Sequence, residues 1–568
     1  MKKIYFYKNK LNSNIVFSNE SLEKNYKEKL FSEEYQGLKE EIKNLNLSDK
    51  YQNILNQKLF KLLNKHHRVN YPNRYWKILL NRWVKFYVDT IIFRYFFILE
   101  NIKKNKVKSF YFKFKEESII PNSSWEFYQI LINEERDNYL SYKIATYIKK
   151  NYPNIKIFNK KDNLSFQFKK NLVKPKLFLY NLFNGILKLF LEKKNPIIIS
   201  SYLPPIKEFI LKIKIGKIFF WKSYFDVQNN ELLSLLEKKR PKRRSKLINT
   251  RQKKNLEKII LELVDEFLPS YYLENFDFVQ NFVKSRMIVR KPRYILTSNE
   301  FLFNEFFKFY TVECLKSKNT KYYVGQHGSK YGCIKEQQNT IEEETSDKFI
   351  TWGWKNNSKH LPIGVLKTLG QKKYNLPKKI EKIYIINQNL PDTVTVFNTN
   401  KEFLKKFDNT LKFLKNINKK YYDKIIFRIH NDDLKYFRFY ENHLNKISKK
   451  ITIDKGQKNL LSLVNSNSLL IFTYYSSGFL EFLSLNKVGY LFFKLNKKIY
   501  LNKFYKLFFK LKNQIIFEDP KYFADFINRL CEEKNIQDNV HYDKNLINFK
   551  KQFANYIGSI DLINKRLK

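Results

Sequence analysis

The sequence predicts an α/β chain in which a helical amino-terminal region precedes two parallel-sheet domains. Three observations lead there. Short apolar runs alternate with helical stretches through the carboxy-terminal third, the pattern of repeated βαβ units. A β-branched run closed by turn residues, PIIISSYLPP (Pro196 to Pro205), opens a second series of the same kind. From about Glu20 to Asn151, apolar residues recur at three and four positions, as in Ile54, Leu55, Leu59, Leu62 and Leu63, and prolines are few. The expected boundaries are 1–190, 191–375 and 376–568, and 43% hydrophobic residues supply enough material for several cores.

Taken in order, the helical region is interrupted by LNKHHRVNYPNRYWKILLNRWV (63–84). This is either a loop that carries His67 to a site or a corner packed by Trp76 and Trp83. Residues 238–254 are cationic, hold Pro241 and are expected to form an exposed loop. A strand at Tyr294 to Thr297, a helix near Asn299 to Lys316 and a strand at Lys321 to Gly325 follow. Further strands are expected at Lys382 to Ile386, Lys424 to Ile429, Lys450 to Asp454, Leu469 to Tyr474 and Val488 to Phe493. Two such Rossmann-like domains across a cleft make up the GT-B architecture of many glycosyltransferases, so the expected fold is GT-B-like, with the donor on the second domain.

A formal charge of +54 suggests nucleic acid or an anionic membrane surface. A competing explanation is composition, since Lys, Asn, Ile, Tyr and Phe are what AT-rich codons specify. No RNP, zinc-finger, KH or helix-turn-helix pattern accompanies the charge, so nucleic acid is disfavoured. Stretches 174–194 and 490–512 interleave Phe, Leu and Tyr with Lys, as interfacial elements do, which favours a membrane surface; a core face with solvated edges gives the same pattern. Three cysteines form no C-x-x-C pair, which fits a reducing compartment and argues against a thiolate metal site. The amino terminus lacks the apolar core of a signal peptide. The most apolar window, 177–191, falls short of the roughly 20 residues a spanning helix needs. The expected location is the cytoplasm, peripheral on the inner membrane.

Only 13 glycines occur in 568 residues, and six of them (325, 328, 332, 353, 364 and 370) lie close together. Glycine permits sharp bends and close approach to a ligand, so the segment QHGSKYG (Gln326, His327, Gly328, Ser329, Lys330, Tyr331, Gly332) is expected to build a site. His327 is the candidate base for an acceptor hydroxyl or the group that steadies a leaving phosphate. Glu336 is the chosen partner acid from a set that also holds Glu342, Glu343, Glu344 and Asp347, although an EEE run usually forms a solvated face. Trp354 in TWGW either stacks on a sugar or base or closes a core. In LLIFTYYSSGFLEFLSLN (469–486) a strand turns into a helix at Ser476, Ser477 and Gly478, where backbone N–H groups suit a phosphate. Glu481 lies one turn further, on the same face as Ser477, in reach of a ribose or sugar hydroxyl. Ordinary N-capping by the serines is the alternative. In FRIHNDD, Arg428 and His430 stand at the end of a strand, where Arg428 could hold a phosphate bidentately or sit in a structural salt bridge. No D-x-D occurs, so metal-independent chemistry without a further cofactor is expected.

These segments together resemble a family of surface-polysaccharide transferases known from leptospiral O-antigen clusters, distantly similar to capsule transferases acting with CMP-Kdo. The resemblance spans most of the chain: LNKHHRVNYPNRYWKILLNRW, SYLPP, FLPSYYLENF, SNEFLFNEFFK, GQHGSKYG, the acids leading to SDKFITWGW, FRIHNDD and TYYSSGFLEFLSLN. Ser329 stands where a second glycine is expected, Tyr475 where an asparagine is, and Val488 near an expected proline. The resemblance implies a GT-B-like glycosyltransferase that moves a sugar from a nucleotide donor, with a CMP-linked sugar as the candidate, to a glycan or lipid-linked glycan. A CDP-alditol phosphotransferase of the same architecture and a non-catalytic basic nucleic-acid-binding scaffold are the alternatives.

Overall fold

Three parallel sheets organise the computed structural model. It describes residues 37–567 apart from 105, 115–119, 162–181, 184, 193, 216–217, 251–254, 338–339, 391–399 and 534–539, together with two short strands near the amino terminus. The expected interfacial stretch 174–194 therefore falls partly outside the described residues.

The first sheet was not expected. Strands β1 (Lys3–Tyr5), β2 (Ile15–Val16), β3 (Ser109–Phe114) and β4 (Lys156–Lys161) pair in the order β2-β1-β3-β4, so part of the region read as helical is strand. Runs as short as SFYFKF do not separate a period of 2 from one of 3.6, and pairing across 47 residues decided the outcome. The long helices Gly37–His67 and Asn73–Lys103 are present. Between them the chain turns a corner pinned by Asn64, whose side chain bonds both Tyr71 N–H and C=O and accepts from Trp76 Nε1 at 2.8 Å. Trp76 and Trp83 are fully buried.

The second sheet runs β5 (Ile197–Ile198), β6 (Tyr294–Thr297), β7 (Lys321–Gly325), β8 (Lys348–Thr351) and β9 (His360–Pro362), in chain order. The third holds β10 (Lys382–Ile386), β11 (Ile425–Arg428), β12 (Thr452–Asp454), β13 (Ser468–Phe472), β14 (Tyr490–Phe492) and β15 (Ile516–Phe517) in the order β12-β11-β10-β13-β14-β15. That is the strand order of a doubly wound α/β sheet, with its direction of winding reversed between β10 and β13.

The carboxy-terminal chain does not stay with its own sheet. Asn555 N–H donates to Trp352 C=O and its carbonyl accepts from Val365 N–H, and helix Ile560–Leu567 packs with Ile198, Leu203 and Leu211 beside the second sheet. The described part of 238–254 is a largely exposed loop as expected, but within it Arg240 and Arg244 pair with Glu126 and Glu274, and the Arg244 side chain is almost fully covered. Phe504 and Phe508, from the second interfacial candidate, are buried, so that stretch is mainly core.

Candidate functional site

A cleft of about 780 Å³ opens where the carboxyl ends of β7 and of β10, β11 and β13 face one another, and helix Asn73–Lys103 supplies a further wall. Ligands of open α/β sheets bind outside the carboxyl ends of strands at the reversal of strand order, and the reversal between β10 and β13 lies here.

On the third-sheet side, Tyr474, Tyr475, Ser476, Ser477, Gly478 and Glu481 line the cleft. Ser476 caps helix Ser477–Ser484, accepting from Phe479 N–H at 3.2 Å, so its hydroxyl has a structural task. Ser477 points the other way and accepts from Ser329 N–H at 3.1 Å. Glu481 is buried and paired with Lys367 at 2.9 Å. Arg428 pairs with Asp454 and donates to Lys458 C=O at 2.5 Å, so the salt bridge weighed against a phosphate contact is present. His430 caps the turn Asn431–Tyr436, and its side chain is half exposed.

On the second-sheet side, β7 ends at Gly325, where a Cβ would meet Ser298 Oγ at 2.5 Å. Gln326 is buried and shapes the loop from beneath: its Nε2 donates to Gly328 C=O (2.8 Å), and its Oε1 accepts from Trp352 N–H (2.9 Å) and Trp354 Nε1 (2.8 Å). Trp354 lies under Gly332, whose φ of +70° and contact with the indole both require glycine. Gln326, Gly332 and Trp354 thus support the loop and do not line the cleft. Gly328 does line it, and a Cβ there would meet nothing closer than 3.9 Å.

His327 sits among Tyr331, Tyr202 and Phe301, its ring 5.2, 6.1 and 6.2 Å from theirs. The Tyr331 hydroxyl lies 3.3–3.4 Å from the imidazole nitrogens and donates its proton to Glu342 Oε1 at 3.0 Å. One imidazole nitrogen bonds the Ser298 backbone, and the Tyr331 hydroxyl lies about equally far from both ring nitrogens. Burial lowers the His327 pKa, Glu342 opposes this, and Arg82 adds to it. Ser200 and Tyr202 hold φ of +47° and +64°, strained for residues with side chains, and Tyr202 is thereby set beside His327.

Glu336 lines the cleft, but the carboxylate linked to His327 is Glu342. The EEE run is not a uniform solvated face. Thr340 caps the short helix Ile341–Thr345, and successive residues on a helix point in different directions. Glu342 faces Tyr331, Glu343 turns to His360 (3.7 Å) and Glu344 to Lys77 (2.8 Å). His67 is a correction: its Nε2 bonds Tyr272 C=O at 3.0 Å and its ring stacks 4.1 Å from Phe276, away from the cleft, because the pinned corner turns it toward the core. Arg82 was missed. It shares a helix face with Ile78 and Lys85, lines the cleft, stacks on Phe86 at 4.1 Å and forms no carboxylate pair among the described residues. Its signal was present only as position i+4 to Ile78 in the stretch NRYWKILLNRW.

A comparison with family models matches residues 13–534 to the LIC12162 family transferase. The chain belongs to that family. It is accordingly a transferase, and the matched span includes both sides of the cleft. No curated protein matches the chain. For a transferase, the two sides offer complementary chemistry: a neutral imidazole with a carboxylate behind it, opposite a helix start and several cations. Parts of two of the matching motifs build a second cluster away from the cleft, although Phe301 of SNEFLFNEFFK lines the cleft beside His327. Tyr272 from FLPSYYLENF and Glu305 and Lys308 from SNEFLFNEFFK form a buried cluster with Ser124, in which Tyr272 donates to Glu305 at 2.6 Å and Lys308 to Glu305 at 3.1 Å. That cluster joins the amino-terminal region to the second sheet.

Proposed function

We propose that this transferase is a glycosyltransferase of GT-B-like layout that moves a sugar from a nucleotide donor, CMP-linked by resemblance, to a cell-surface glycan or its lipid-linked precursor. One observation carries the reading: His327, at the end of β7, faces Ser477 and Gly478, at the strand-order reversal of the third sheet, across a single cleft. The donor phosphate lies against the N–H groups at the start of helix Ser477–Ser484, with Arg428 and Lys458 nearby. An imidazole nitrogen of His327 takes the proton of the acceptor hydroxyl as its oxygen bonds the sugar carbon and the bond to phosphate breaks. Glu342 steadies the resulting imidazolium through Tyr331. The absence of a D-x-D motif is why no metal is assigned a role.

The test is a thermal-shift screen against CMP, CDP, UDP, GDP and TDP without added metal, because a ligand of the native state raises apparent stability. Selective stabilisation by CMP that Arg428→Ala abolishes supports the reading. No response to any nucleotide overturns it, and a product mass carrying a transferred alditol phosphate replaces sugar transfer with phosphotransfer.

A further inference from the structure

Helix Pro205–Lys214 is apolar on two faces, and among the described residues only one of them is packed into a core. Leu211 is fully buried and packs with Ile198, Ile563 and Leu567. Ile206, Phe209 and Ile213, at spacings of three and four, form a stripe on the solvent side and are 73%, 42% and 50% exposed. A surface helix normally turns charged residues outward, so a second apolar stripe marks a second apolar neighbour.

The stripe does not stand alone. Leu182, Phe183, Ile186, Leu189 and Phe190 are also exposed, and Phe183 contacts Phe220, just beyond the helix, at 5.7 Å. These eight side chains, all within residues 182–213, are half of the sixteen exposed large hydrophobics among the described residues. Clustering of that kind, and not exposure of single residues, marks an interaction surface.

We infer that this face docks on an anionic lipid bilayer. Residues 182–214 carry six lysines and two glutamates, so the segment is net cationic, as a helix lying in the plane of an anionic interface is. Lys212 is buried beside Glu208, but Lys194 and Lys214 are exposed, and a protein partner would have to cover them, whereas lipid headgroups leave them in water. The position is also consequential. The helix begins three residues after Tyr202, whose ring lies 6.1 Å from that of His327, and it is only about 15 Å long. A docked bilayer would therefore lie close to the His327 side of the cleft, where a lipid-linked acceptor would enter. The docking itself does not depend on which group is transferred.

The experiment is flotation of the full chain with vesicles of phosphatidylcholine containing phosphatidylglycerol, against phosphatidylcholine alone, with no substrate present. The wild type should float with the anionic vesicles. A triple variant, Ile206→Ser with Phe209→Ser and Ile213→Ser, should partition at least about tenfold more weakly, since each side chain buried in an apolar medium contributes more than that factor. The single variant Ile206→Glu should show the same direction, and Phe509→Ser, an exposed ring outside the cluster, should float as the wild type does. A wild type that stays unbound, a triple variant that floats normally, or a triple variant that instead lowers the sedimenting mass by breaking a dimer would each overturn the inference. Because no nucleotide enters the assay, failure of the donor reading leaves this result standing.

Discussion

Ser329 N–H donates to Ser477 Oγ at 3.1 Å, and this bond ties the loop after β7 to the helix after β13 across 148 residues of chain. Beside it Ser329 Oγ donates to Tyr475 C=O at 3.4 Å, and Tyr475 Oη meets Cys333 Sγ at 3.4 Å. Two departures from the expected motif, Ser329 and Tyr475, thus meet at one junction. The hydroxyl that replaces a second glycine helps bind the two sides of the cleft together.

Ser477→Ala leaves the enclosed Ser329 N–H without its acceptor. The expected cost is about 1–2 kcal/mol of stability, measured by chemical denaturation, together with reduced turnover. Unchanged stability would show that water replaces the hydroxyl.

Turnover should keep its neutral base to below the ordinary imidazole pKa of 6.5, because burial lowers the His327 value. The same shift has a stability counterpart. Between the lowered folded pKa and 6.5 the unfolded state binds the extra proton, so the contribution is full above 6.5 and is lost as pH falls toward the folded value. Glu342→Gln removes the charge that raises the His327 pKa, so the acid limb of the pH–rate profile should move further down. A limb that moves upward would contradict the Glu342 role.

Gly328 and Gly332 should separate site from scaffold. Gly332→Ala puts a side chain at φ +70° against the Trp354 ring and should cost about 1–2 kcal/mol from the backbone alone, with the clash in addition. Gly328→Ala should melt as the wild type does and lose substrate binding by filling the cleft. Equal loss of melting temperature in both would mean that Gly328 also supports the fold.

Arg82 is held at the cleft with its Nε enclosed and unpartnered, and burial lowers its pKa. A charge kept at that expense needs an anion, so Arg82→Gln should lower turnover while leaving the unliganded melting temperature unchanged or higher. A lower melting temperature with normal turnover would make Arg82 a packing residue on Phe86.

Glu305→Ala strands the Lys308 ammonium, which is fully buried together with the Glu305 side chain. Removing one partner of such a pair costs about 3–5 kcal/mol, which thermal denaturation reads directly. A small effect would mean that Ser124 and Tyr272 suffice for Lys308.

Local patterns carried a large part of the fold. β6, β7 and β10 lie where their β-branched and aromatic runs end in turn residues, and the glycine cluster marked the loop at the cleft. What could be read was what neighbouring residues decide together: strand, turn and helix start. β3 and β4 escaped because runs as short as SFYFKF and KIFNKK have no distinctive period, and their pairing is long-range. His67 and Arg82 lie in one stretch of sequence, yet the corner pinned by Asn64 sends the first into the core and the helix beyond it carries the second to the cleft. Glu342, and not Glu336, stands behind His327 because a five-residue helix rotates each carboxylate by about a quarter turn or more from the last. Sequence alone determined the α/β class and the segments that approach the cleft, since backbone preference and hydrophobic period are local. Which side chains meet there depends on helix rotation and on contacts between residues far apart in the chain, and only the tertiary structure decided that.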